Sequence, residues 1–136
     1  MTRRLTPEVR RFYQAALQRF EDAEVLLRND RTTGALYLAG YAVECSLKAL
    51  LLNSIPVSRQ QAVVGSFRGQ LAHDFEWLKS ELRGRGVEVP AAVVVHLRRV
   101  NTWSTSLRYV AGRVKRHTVQ SFLKAAEQVI GWTKGR

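Results

Sequence analysis

The sequence predicts an all-α protein, an antiparallel up-and-down bundle of four to five helices, and three observations carry that prediction. Apolar residues recur at helical spacing over most of the chain. Breaks at Ser54-Ile55-Pro56 and Gly84-Arg85-Gly86 separate the periodic stretches. The connections so delimited are mostly short, as neighbouring antiparallel helices require. A chain of 136 residues with 46% hydrophobic content suits one domain, residues 1–136, with an ordinary core. There is no internal repeat, low-complexity segment or second domain.

Thr6, Pro7 and Glu8 read as a helix start, with Thr as cap and Pro in the first turn, and the first helix runs to about Arg28. Its apolar face is Tyr13, Ala16, Leu17, Phe20, Ala23, Leu26 and Leu27. A polar turn, Asn29 to Thr33, leads into the second helix, which ends near Asn53 because Pro56 forbids continuation. Ser58 to Gly69 is ambiguous between a short helix and a turn at Gly65. The third helix spans about Ala72 to Arg83, with Phe75, Leu78 and Leu82 on one face. Pro90 opens a fourth, with Val93, Val94, Leu97 and Val100 as its stripe; a strand is the alternative for the valine run. Asn101 to Ser106 forms a bend, and the fifth helix covers about Thr118 to Trp132 through Val119, Phe122, Ala126, Val129 and Ile130.

Gly34 to Leu52, GALYLAGYAVECSLKALLL, holds the widest buried stripe, interrupted by Glu44 and Lys48 four residues apart. An acid N-terminal to a base at this spacing shares a helix face with it, so the simplest reading is a salt bridge worth a few tenths of a kcal/mol. Small residues at Ala39, Gly40 and Ala42 let a neighbour approach closely.

Together these segments resemble the HEPN family. The pattern A-x-Y-L-x-x-x-A-V-E-x-x-L-K-A-L stands here as Ala35, Tyr37, Leu38, Ala42, Val43, Glu44, Leu47, Lys48, Ala49 and Leu50. His73-Asp74-Phe75 with Leu78, and Trp103 leading to Leu107-Arg108-Tyr109, are similar to later family elements, so the resemblance covers roughly residues 8 to 132. It implies a small helical bundle, commonly a homodimer, in toxin-antitoxin or defence systems and often paired with a nucleotidyltransferase. Many members are metal-independent ribonucleases, marked by an Arg and a His with four to six residues between them near the start of a late helix. In that arrangement Arg holds the scissile phosphate while His exchanges a proton with the 2′-OH or leaving oxygen.

This chain departs from the hallmark: Arg113 and His117 are separated by only three residues. On a helix they would still share a face and could serve one phosphate. Arg68 and His73 have four residues between them but stand before the third helix, where a capping or packing histidine is the plainer reading. These two pairs are the catalytic candidates, Arg113 with His117 first.

The net charge of +11 is unevenly spread. Val89 to Ala126 contains no Asp or Glu, yet carries Arg98, Arg99, Arg108, Arg113, Lys115, Arg116 and Lys124, beside His96 and His117. Such a field attracts a polyanion in a salt-sensitive way. Arg98, Arg99, Arg108, Arg113, Lys115 and Arg116 are the expected phosphate contacts, with Trp103 and Tyr109 available either for stacking on bases or for packing beneath the bend. The alternative is a solubilising face or a docking site for an acidic protein such as a nucleotidyltransferase.

Other classes are excluded by what the chain lacks. One cysteine, Cys45, precludes an internal disulfide, and with three scattered histidines it offers no metal-ligand spacing, so neither metal nor cofactor is expected. There is no glycine-rich phosphate loop and no serine-nucleophile motif. Met1 to Val9 is charged, and the apolar run Ala35 to Val43 is too short to span a bilayer, so a cytoplasmic protein without a membrane partner is expected. The leading expectation is a HEPN-like protein that binds RNA or a nucleotide-bearing partner, with a metal-independent ribonuclease and a nucleotidyltransferase-pairing module as alternatives.

Overall fold

The computed structural model describes residues 5–68, 73–103 and 112–135. These form α1 (Pro7–Arg28), α2 (Thr32–Asn53), α3 (Val57–Gly65), α4 (Phe75–Gly84), α5 (Ala91–Val100) and α6 (Arg116–Lys134), with no strand among the described residues. All-helical character among the described residues is as expected. Among the described residues six helices stand where four or five are predicted, because the ambiguous segment after Pro56 is helical.

The Thr6 side chain caps α1 by accepting from Val9 N, and Pro7 occupies the first turn. Asn29 closes the helix and Asp30 takes a positive φ of 60°, turning the chain directly into α2. Pro56 ends the α2 segment and caps α3. The one fully buried residue of α3 is Gln60, whose amide donates to the Leu52 and Ile55 carbonyls, each at 3.1 Å, while Val63 and Val64 pack partly buried against the core. The Gln60 oxygen accepts from the Thr6 hydroxyl, so the starts of α1 and α3 and the end of α2 meet on one amide.

α4 begins at Phe75, later than predicted, because Asp74 takes the N-cap and accepts from Glu76 N at 2.8 Å. An Asp side chain satisfies first-turn N–H groups best from outside the helix. The valine run belongs to helix α5, with Leu97 and Val100 buried, and Arg98 and Arg99 complement the dipole of its last turn. α6 extends past both predicted ends.

α2 is the centre of the molecule. It packs along α1 and against α3, α4 and α6, while α5 packs on α6. Val43, Leu47, Leu78, Leu82, Val100, Val119 and Val129 are buried in the shared core. The Tyr13 hydroxyl donates to the Thr133 carbonyl at 2.7 Å and joins α1 to α6; burial pushes its phenol up to about 12. By length and composition α2, at 22 residues and mean hydropathy 1.4, could cross a membrane, unlike the shorter run picked out from sequence. Its apolar side chains instead meet other helices, with 72% of that window buried inside the fold.

Candidate functional site

Two regions carry chemistry, an exposed basic surface and a buried polar cluster. The basic surface comes from the end of α5 and the start of α6. Arg98 and Arg99 are exposed in the last turn of α5. Arg113 and Lys115 are exposed just before α6, and Arg116 and His117 are its exposed first residues. Arg108 and Tyr109 lie outside the described residues.

Arg113 is therefore not on the helix with His117, contrary to the shared-face expectation: α6 starts at Arg116, with Lys115 extended at φ −60°, ψ 136° as its cap. Among the described residues no side chain caps this N-terminus, where first-turn N–H groups suit an anion.

Arg116 is partly committed elsewhere. Its Nη1 donates to the Leu27 carbonyl at 2.8 Å and to Asp30 Oδ1 at 2.7 Å. Beside it the Thr33 hydroxyl donates to the Gly112 carbonyl at 2.8 Å and accepts from Val114 N at 3.2 Å. The corner between α1 and α2 is thus fastened to the chain entering α6. Gly112, at φ 92°, adopts a backbone conformation that a residue with Cβ resists.

Trp103 corrects the stacking expectation. It is 6% exposed, stacked on Phe75 with ring centroids 5.4 Å apart and edge-on to Tyr41 at 5.1 Å. Its indole Nε1 donates to the Tyr37 carbonyl at 3.0 Å. Gly40 is what lets the indole lie against α2, since any Cβ there would overlap the ring. No face of Trp103 is free for a base; the packing reading is the one observed.

The buried cluster is centred on Glu44, which is 3% exposed. Its Oε2 accepts from Lys48 Nζ at 2.9 Å, the expected pair one turn apart. Its Oε1 lies 2.9 Å from His73 Nδ1, at the entrance to α4. Lys48 is itself buried, with Nζ 5.1 Å from the centroid of the Phe67 ring. The edge of Tyr41 flanks the imidazole, the ring centroids lying 6.2 Å apart. Glu44 cannot face water, so both oxygens are satisfied by cationic or N–H partners. Arg68 is exposed, and residues 69–72, between it and His73, lie outside the described residues. Cys45, next along α2, has its thiol pushed up to about 11 by burial and then by Glu44, an environment for an inert thiol.

The pairing of His73 with Glu44 is absent from the sequence reading, although a signal existed. A carboxylate set within an apolar stripe requires a buried partner, and Lys48 can occupy only one of its oxygens well.

A helical chain with a strongly basic late segment and a charged pair inside its core helix defines a small, basic α-helical domain. The family model for the HEPN domain matches residues 9–136, nearly the whole chain, and the protein belongs to the HEPN domain family. No curated protein and no solved structure matches it.

Proposed function

We propose that this HEPN protein binds RNA through the basic surface at the α5–α6 junction. The carrying observation is the acid-free stretch 89–126, from which Arg98, Arg99, Arg113, Lys115 and Arg116 reach the exterior. Guanidinium groups suit phosphate because they donate in a planar fork; the stretch itself contains no acid, although Arg116 is shared with Asp30. Arg108 and Tyr109 extend the same reading. The working form is a homodimer of single-domain protomers, each an antiparallel up-and-down bundle, in the cytoplasm and in a toxin-antitoxin or defence setting.

Labelled RNA titrated with pure protein at two salt concentrations tests this. Binding that weakens steeply with salt, and that weakens further in Arg98→Gln/Arg99→Gln, supports the reading. RNA that is never retarded sinks it and directs the search to an acidic protein partner of the nucleotidyltransferase kind.

A catalytic form of the reading uses Arg113 and His117, and it is favoured by the uncapped N-terminus of α6 beside both. RNA cleavage in EDTA that disappears in His117→Ala would establish it.

A further inference from the structure

α4 packs on α2 and α5 packs on α6, and between α4 and α5 the surface opens into a cleft of 340 Å³. Its walls include Lys79 and Arg83 of α4, Val87, Glu88 and Val89 of the linker, and Arg98 of α5. The linker is held by its alternation: Val87 and Val89 are partly buried against the core, and Glu88 between them is exposed. Gly86, at φ 79°, makes the turn that starts it, and Val87 N donates to the Leu82 carbonyl at 3.0 Å. Three cations thus line the cleft with one acid. Lys79 keeps Glu76 as a partner at 3.2 Å, whereas neither the Arg83 nor the Arg98 guanidinium has a partner among the described residues. Dipole complementation accounts for a basic residue in the last turn of each helix, where Arg83 and Arg98 stand. It does not account for Lys79, one turn before Arg83 on the same face, where like charges repel. An anion between them would relieve that repulsion.

We propose that this cleft receives the terminal phosphate of an RNA strand. The proposal rests on the RNA-binding reading and adds to it a preference for one kind of strand end. Arg98 belongs to both the basic surface and the cleft, so a strand lying along the α5–α6 junction has a direct way in. A phosphodiester within the strand carries one negative charge, while a terminal phosphomonoester carries close to two and presents three acceptor oxygens. Two guanidinium forks and an ammonium match that set of acceptors. Three cations less one acid leave the walls two positive charges, which a dianion neutralises and a monoanion does not. Val87 and Val89 give the ribose of the end nucleotide an apolar wall. A free sugar phosphate carries the same group, but only RNA reaches the basic surface as well, and two linked contacts bind more tightly than one.

The test uses the full chain and fluorescent single-stranded oligoribonucleotides of one sequence, read by anisotropy. One set is labelled at the 3′ end and carries a 5′-phosphate or a 5′-hydroxyl; the other is labelled at the 5′ end and carries a 3′-phosphate or a 3′-hydroxyl. Wild type is expected to bind a phosphorylated strand about 10-fold more tightly than its hydroxyl counterpart, as charge-assisted contacts to the added group imply. Arg83→Gln is expected to remove that preference while leaving the affinity for the hydroxyl strand unchanged. Glu88→Gln is expected to enlarge it, and Arg99→Gln, outside the cleft, to weaken both strands by the same factor. Ribose 5-phosphate is expected to compete weakly, and only against the phosphorylated strand. Equal binding of phosphorylated and hydroxyl strands by wild type, or a preference that survives Arg83→Gln, overturns the proposal and leaves RNA binding standing. Ribose 5-phosphate bound as tightly as the phosphorylated strand overturns the assignment to RNA in favour of a free sugar phosphate. Failure to bind any strand removes the binding reading and the proposal with it.

Discussion

Trp103 lies against Gly40, its indole pressed onto the α2 backbone where a side chain would otherwise be. The contact continues into a hydrogen bond from Nε1 to the Tyr37 carbonyl and a stacked contact with Phe75, so one residue after α5 joins α2 to α4.

Gly40→Ala is therefore expected to destabilise the fold, since the added methyl must displace either the indole or the helix. Overpacking of this kind costs about 1–3 kcal/mol and sometimes more. A urea midpoint unchanged from wild type would show that Trp103 does not occupy this place.

Lys48→Ala is expected to cost about 3–5 kcal/mol, because it strands the Glu44 carboxylate in the core. Adding Glu44→Leu to Lys48→Met is expected to recover most of such a loss by removing both charges. A double variant no more stable than the Lys48 variant alone would contradict that account, and chemical denaturation reads both.

Gln60→Leu is expected to lose stability by about 1–3 kcal/mol, since the Leu52 and Ile55 carbonyls and the Thr6 hydroxyl lose their shared amide. Limited proteolysis around residues 54–66 is expected to accelerate with it. A stable, protease-resistant variant would mean that α3 is held by other contacts.

Alkaline pH is expected to weaken the fold through Tyr13 and Cys45. Their ordinary values are 10.0 and 9.0, and in the fold they rise to about 12 and about 11. Between those limits the unfolded chain has released protons that the native chain retains, so the contribution is full below the ordinary values and is lost as pH rises toward the folded ones. Urea midpoints across this range should fall less steeply in Tyr13→Phe/Cys45→Ala than in wild type. Identical slopes would count against it.

Much of the helical frame was readable because its signals are local. Thr6 and Pro7 mark the start of α1, Pro56 stops α2, and the period through Phe75, Leu78 and Leu82 marks α4. α3 stays ambiguous in sequence because its one fully buried residue is the polar Gln60 and its core-packing valines, Val63 and Val64, are adjacent and only partly buried, so hydrophobic period has little to register. α4 was begun too early because an Asp in series with helical residues looks like part of the helix it caps. The Glu44–Lys48 pair was legible from spacing within one helix, whereas His73 reaches Glu44 across 29 residues and needs the packing of α4 on α2. Aromatic character alone did not reveal whether Trp103 faced a ligand or the core; the glycine four positions into the apolar run after Leu36 was the better guide.

The fastening of Thr33 and Arg116 across the α1–α2 corner makes the approach to α6 a lever with a short arm. A ligand that draws Arg116 toward its own charge must compete with Asp30 and the Leu27 carbonyl, so occupying this cation loosens the corner where the two longest helices meet.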